Sequence, residues 1–250
     1  MILVTGATGI LGRVIVLELL KRGKTVRATK RKSSNLQEVR KSFQFYTETP
    51  NEYFDSIEWI EVDFEDIHSL QNALNGVEEV YHCAAKVSFH PKDEKKMYQT
   101  NIEGTKQLLF ACQNSSVKKF LFVSSIAVLD GLNENGELDE SSDFNPKIDH
   151  SAYAISKHFS EMEVWLASAE GLNTVIVNPG IIIGSGNWKE SSGTLFKELG
   201  ENAYTFSGGT SYVDVRDVAQ ISIELMEKNI FGERFILISE NKKYQDVANF

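Results

Sequence analysis

Ile2-Leu3-Val4-Thr5-Gly6-Ala7-Thr8-Gly9-Ile10-Leu11-Gly12 is the stretch on which the reading of this chain turns. A short apolar run ends in a turn with glycines at 6, 9 and 12, and residues 10–21 follow with helical spacing of their apolar side chains. In such a strand–turn–helix unit Gly6 permits the tight turn, Gly9 lets the backbone approach a pyrophosphate, and Gly12 lets the helix lie close on the sheet. The amides at the helix start, from Thr8 through Ile10 and Leu11, then face negative phosphates. A bare glycine triplet is weak evidence; following the first strand of an alternating pattern, it reads as a dinucleotide cradle.

Outward from this unit, short strands at 2–4, 25–29, 57–62, 79–83, 119–123 and 174–177 alternate with helical stretches at 10–21, 69–74, 94–112 and 152–169. Several strands are almost wholly apolar, as strands buried on both faces are. The expected fold is α/β, a doubly wound parallel sheet spanning residues 1–179. Residues 33–56 make a long second crossover carrying Phe43, Phe45, Tyr46, Tyr53 and Phe54, read as an inserted helical pair over one edge of the sheet. Residues 180–212, rich in glycine, are assigned to a smaller substrate-side subdomain. A helix at 213–227 and a strand at 233–238 return to the sheet. Residues 239–250 open a C-terminal substrate subdomain that is incomplete here.

The 250 residues carry 26 basic and 35 acidic side chains, a formal charge of −9. That balance argues against a general nucleic-acid binder, which needs a basic face for phosphates. Cys83 and Cys112 lack metal-ligand spacing and read as small buried hydrophobes. His68, His82, His90, His150 and His158 show no zinc-like spacing either. No signal peptide precedes Gly6 and no apolar run approaches a membrane span, so a cytoplasmic protein is expected.

Two further constellations carry chemistry. After the second strand, Arg27-Ala28-Thr29-Lys30-Arg31-Lys32 contains no acid to hold a ribose 2′-hydroxyl. A 2′-phosphate would meet Arg31, with Lys30 as a second cation, so NADP is favoured and NAD is the alternative. Farther on, Tyr153 and Lys157 share one face of a helix, while Ser124 and Ser125 lie just past the carboxyl end of a central strand, where doubly wound sheets bind ligands. This set suits carbonyl reduction: Tyr153 donates a proton to the developing alkoxide and Ser125 holds the oxygen. An ammonium about 4 Å from the phenol would contribute roughly 4 kcal/mol at an effective dielectric of about 20. That would lower the phenol by up to about three pKa units.

The glycine turn, Asp63-Phe64, His82-Cys83-Ala84-Ala85, Asn101, Ser124-Ser125, Tyr153 with Lys157, and Asn178-Pro179-Gly180 occur together and in order. In this the chain resembles the extended short-chain dehydrogenases/reductases, related to the NAD-dependent epimerases and dehydratases. The resemblance implies that Asp63 and Phe64 flank an adenine, that Ala84 and Ala85 line the cofactor channel, and that Pro179, Gly180 and Ile182 wrap the nicotinamide. It makes Asn101 a structural or proton-relay residue and Ser125, with Ser124 as fallback, the catalytic serine. The segments at 82–89, 27–31 and 212–218 look most like the dihydroflavonol-reductase-like branch, which reduces ketones or aldehydes with NADPH. In relatives the helices at 94–112 and 152–169 often build a homodimer.

Two other functions stand beside the reductase. A nucleotide-sugar epimerase or dehydratase would keep NAD tightly bound. For an epimerase, the second subdomain offers only Lys189, Lys197 and, at its border, Arg216 to hold a diphosphate. For a dehydratase, Ser125 is followed by Ile126 and Ala127 where relatives place an acid. A non-catalytic redox sensor would not need to keep the serine, tyrosine and lysine. Trp59, Trp165 and Trp188 read as packing or pocket-wall residues, and Glu161 with Glu163 as a solvated helix face.

Overall fold

Apolar strands covered on both faces set the frame of the computed structural model, which describes residues 1–88, 90–186 and 207–248. Its strands are β1 (Ile2–Thr5), β2 (Val26–Lys30), β3 (Glu58–Glu61), β4 (Glu79–His82), β5 (Lys119–Val123), β6 (Asn173–Pro179), β7 (Ile181–Ile183), β8 (Gly209–Asp214), β9 (Glu233–Leu237) and β10 (Glu240–Lys243). Seven of them form one parallel sheet in the order β3-β2-β1-β4-β5-β6-β9. The order reverses at β1, which pairs with both β2 and β4. In a doubly wound sheet the carboxyl ends of two such strands diverge and leave a crevice for a ligand.

The helices are α1 (Ile10–Lys21), α2 (Leu36–Ser42), α3 (Pro50–Asp55), α4 (Ile67–Ala73), α5 (Glu94–Tyr98), α6 (Gly104–Gln113), α7 (Ala152–Ala169), α8 (Val215–Glu227) and α9 (Tyr244–Ala248). One core joins the sheet to α1 and α8 through Val14, Ile15, Leu17, Val218, Ile223 and Met226. The other joins it to α4, α6 and α7 through Leu70, Leu108, Cys112, Val164 and Ala167. Each large side chain removed from water contributes about 1.5–3 kcal/mol. Polar side chains start four helices: Asn35 accepts from Glu38, Asp66 from His68, Ser151 from Ala154 and Asp214 from Arg216.

Two expectations change. The helix read at 94–112 is α5, a π-helical turn at Gln99–Glu103, and α6 in succession; π-turns widen a helix and recur at functional sites. The helix read at 213–227 begins at Val215, because Val213 and Asp214 extend β8 and the Asp214 carboxylate caps the helix. As expected, residues 33–56 hold two short helices at one edge of the sheet, with a 3₁₀ turn at Phe43–Phe45 after the first; that turn and the second helix also pack on α1. Their buried Phe43 and Phe54 meet at 6.1 Å, and Phe54 continues onto Trp59 at the sheet edge. Part of the segment 180–212 forms β7 and β8, which join β10 in a separate three-stranded sheet.

Candidate dinucleotide and reaction site

Gly6 has φ +65°, a left-handed conformation that side chains disfavour. A Cβ there would stand 2.6 Å from the Ala84 amide nitrogen, so the turn presses directly on the end of β4. A Cβ on Gly12 would strike the Gly6 carbonyl oxygen and stand 2.8 Å from the Gly6 carbonyl carbon. Gly9 begins α1 with no side-chain cap, and the first turn of that helix contains no acid. The first amides of α1 therefore keep their donors and the helix dipole uncompensated, as a pyrophosphate requires. These observations fit a dinucleotide at this turn.

Arg13 was not singled out in the sequence, and it braces the cradle. Only 2% exposed, its Nε donates to the Gly9 carbonyl at 3.1 Å and its Nη2 to the Thr8 carbonyl and to Glu38. The glycine turn and α2 are thus joined by one guanidinium. The signal was a cation directly after Gly12, inside an otherwise apolar run from Ile10 to Leu17.

At the end of β2, Arg31 is exposed and its backbone N–H donates to Ser34 Oγ at 3.0 Å. Its guanidinium has no partner among the described residues, leaving its five donors available to an anion. Lys30 is less free, lying 3.5 Å from Glu61 on the neighbouring strand, an acid that the local sequence around Lys30 does not contain. Arg27 is buried and braces the sheet edge through Glu58 and the carbonyls of Ala73 and Asn75. Asp63 is exposed and closes a local turn by accepting from the Glu65 amide; the cap of the following helix is Asp66. Phe64 lies partly buried, 5.8 Å from the His82 ring. That imidazole sits between the Thr5 and Thr105 hydroxyls at 2.6 and 3.0 Å, and burial draws its pKa down to about 3. It is a satisfied core histidine.

Ser125 and Tyr153 meet through their side chains. The serine follows β5, and the tyrosine lies in the first turn of α7, whose start is capped by Ser151. Burial pushes the Tyr153 phenol above its ordinary value, and the Ser125 hydrogen bond partly opposes the rise. The expected depression by Lys157 is not what this geometry gives. Lys157 is 2% exposed and donates to the Val123 carbonyl at 2.7 Å, with its ammonium 4.1 Å from the Phe122 ring centre. Burial lowers its pKa to about 7, so it carries only part of a charge at neutral pH.

Asn101 sits in the π-turn, 2% exposed. Its Oδ1 accepts from the Lys86 amide at 2.7 Å, and its Nδ2 donates to the Lys86 carbonyl and to Ser156 Oγ. Its own carbonyl accepts from Ser160. The side chain is therefore committed to holding the segment that follows Ala84 and Ala85 against α7. Ala85 is exposed and Ala84 and Cys83 are partly so; Cys112 alone of the two cysteines is fully buried. Pro179 ends β6, and a Cβ on Gly180 would stand 2.6 Å from the Ser211 carbonyl oxygen, so β6 and β8 are drawn together there. Ile182 lies partly buried in β7.

The reading of Glu161 as a solvated residue is overturned: it is 3% exposed and accepts from Ser124, Asn178, Trp165 and Arg234. Its place four residues beyond Lys157, on the same helix face, was the available signal. Glu163 is half-buried. Arg216 is exposed and paired with Asp214. Lys189, Lys197 and Trp188 lie outside the described residues. Among the described residues no cluster of three or more His, Cys, Asp or Glu is placed to hold a metal ion, and no helix is long and apolar enough to cross a membrane.

The chain is 31% identical over 242 residues to the sterol demethylase protein B of Methylococcus capsulatus, covering 96% of this chain and 70% of that one. It is 30% identical over 255 residues to a putative dihydroflavonol 4-reductase of Synechocystis, covering 98% and 69%. The solved structure of gox2253 superposes with a TM-score of 0.84 at 28% identity, across 100% of this chain and 73% of that one. A family model, described as NAD dependent epimerase/dehydratase family, matches residues 2–237. Sequence match, glycine cradle and strand order agree, and the chain belongs to the NAD dependent epimerase/dehydratase family.

Proposed function

We propose that this protein is an NADP-dependent reductase of a hydrophobic or aromatic ketone or aldehyde, with Tyr153 as proton donor. The observation that carries this reading is the hydrogen-bonded Ser125–Tyr153 pair at the carboxyl edge of the sheet, with Lys157 one helical turn beyond Tyr153. The similarity to a putative dihydroflavonol 4-reductase supports the same chemistry, and the unpaired Arg31 guanidinium supports NADP.

When bound, the nicotinamide supplies the hydride. The chain's own groups manage the oxygen and its proton. The Ser125 hydroxyl holds the carbonyl oxygen, and the Tyr153 phenol delivers a proton to it as negative charge develops. A phenol raised above its ordinary value is fully protonated at neutral pH, which suits donation and therefore the reductive direction. Lys157 is fixed by the Val123 carbonyl, with its side-chain nitrogen over the Phe122 ring on the strand that leads to Ser125. Arg31 would hold the 2′-phosphate and the first amides of α1 the pyrophosphate.

The test is a titration of the purified chain with NADPH and NADH, followed by a screen of carbonyl compounds for NADPH oxidation. NADPH binds at least about tenfold more tightly, the preference vanishes in Arg31→Ala, and Tyr153→Phe binds NADPH but does not turn over. A preference for NADH overturns the Arg31 assignment. Undiminished turnover by Tyr153→Phe overturns the mechanism. A dinucleotide that stays bound through gel filtration favours an epimerase.

A further inference from the structure

We propose that Glu161 is a positioning residue of the reaction centre: its buried carboxylate ties together the chain segments that carry Ser125, Asn178 and Arg234, and sets a negative charge one helical turn from Lys157. The inference rests on the reading of Ser125, Tyr153 and Lys157 as the reacting set.

Four donors converge on this carboxylate. Oε2 accepts from Ser124 Oγ at 2.5 Å and from Asn178 Nδ2 at 3.1 Å. Oε1 accepts from Arg234 Nη1 at 3.1 Å and from Trp165 Nε1 at 3.3 Å. The same Asn178 amide donates to the Ser125 carbonyl at 3.1 Å. One carboxylate thus grips the residue before Ser125 directly and the backbone of Ser125 through Asn178. On the far side, Arg234 donates to the carbonyls of Glu140 and Ser142, so the connection between Ser125 and Tyr153 hangs on the same guanidinium.

The charge matters as well as the hydrogen bonds. Five groups face Lys157: the Val123 carbonyl, the Phe122 ring, the Cys83 thiol, the His82 imidazole and Glu161. Burial pushes the thiol up to about 12 and the imidazole down to about 3, so both are neutral at physiological pH. Among these groups Glu161 is the only formal negative charge. Glu161 in turn faces Arg234 from β9 and His158 and Lys157 from its own helix, with Asp143 4.0 Å beyond Arg234 and His150 and Asp130 beyond His158. Three of its four donors are neutral, so one cation answers it directly and its field still reaches Lys157. Burial alone draws Lys157 toward the neutral amine, and Glu161 opposes that.

The experiment follows the ¹³Cε signal of Lys157 by NMR in the whole chain labelled at lysine, with Lys157→Arg to identify it. In the parent protein it titrates near 7. In Glu161→Gln the midpoint falls by about one pH unit. In Arg234→Gln it rises, because the carboxylate loses its cation and acts on Lys157 unopposed. Mere loosening of the fold moves both variants the same way, and NADPH titration shows which of them keep the site. If Glu161→Gln does not fold, Arg234→Gln decides by itself: a rise supports the proposal, and no change or a fall overturns it. Unchanged midpoints, or shifts of one sign in both variants, overturn it as well. The measurement needs no turnover. A parent protein that reduces no carbonyl while Lys157 still responds to Glu161 refutes the reductase reading and leaves the coupling standing.

Discussion

Replacing Gly12 by alanine puts one methyl group where the structure leaves no room. The new Cβ would strike the Gly6 carbonyl oxygen and lie 2.8 Å from the Gly6 carbonyl carbon and 3.0 Å from Ala7 Cα. All three atoms are backbone or bonded to it, so no side chain can swing aside. Alanine in a helix is worth up to about 1 kcal/mol over glycine, whereas forcing a methyl into a filled space costs about 1–3 kcal/mol. The net is a loss of up to about 2 kcal/mol, a fall in Tm of a few degrees for a chain of this size at ~2–4 °C per kcal/mol. The larger effect is on the ligand: α1 must withdraw from the turn, and its first amides leave the phosphate position. NADPH affinity falls at least about tenfold. Gly104 is the matched control. It is also helical, but the nearest atoms to a Cβ there belong to the Phe64 side chain, at 3.4 Å or more, an ordinary contact. Gly104→Ala therefore gains up to about 1 kcal/mol of helix preference. Thermal unfolding and NADPH fluorescence titration of both variants give the answer. If Gly12→Ala matches the parent in Tm and binds NADPH within twofold, the close helix–turn contact is not what builds the cradle.

Two further perturbations test the scaffold. His82 has a folded pKa near 3 against 6.5 when unfolded, so the stability tied to its neutral form is complete above about 6.5 and is lost as pH falls toward 3. It contributes a slope of about 1.4 kcal/mol per pH unit in that window. Urea unfolding between pH 7 and pH 4.5 shows this slope in the parent, and His82→Gln, which cannot titrate, flattens it; an equal slope in both assigns the acid sensitivity elsewhere. Asn101→Ala strands the Lys86 amide and carbonyl and removes the bond that the Ser156 hydroxyl accepts, while that hydroxyl still donates to the Tyr153 carbonyl. At about 1 kcal/mol for each lost bond, Tm drops and the segment after Ala85 opens to hydrogen exchange; unaltered exchange there would assign Asn101 a role outside this clamp.

The order of elements was legible because each depends on short-range information. Apolar runs announced buried strands, the 6-9-12 glycines announced a tight turn entering a helix, and a spacing of four placed Tyr153 and Lys157 on one face. The same spacing reaches Glu161, yet the sequence read it as solvated, since a glutamate on a helix is ordinarily exposed. Its burial follows from partners on three other segments, Ser124, Asn178 and Arg234, that are far from it in the chain or in a different element. Lys30 likewise looked free until β3 brought Glu61 beside it. Lys157 looked like a simple positive charge on a phenol. Its ionisation is set by how completely the strands and α7 exclude water around it, a quantity with no counterpart in local spacing. The sequence by itself determined the α/β frame, the glycine-rich strand-to-helix turn and the placement of Tyr153 and Lys157 on one helix face, because backbone stereochemistry and hydrophobic period act over a few residues. Only the tertiary structure decided which charges are paired, which are buried and what each one faces, because desolvation and ion pairing depend on neighbours that the fold assembles from distant parts of the chain.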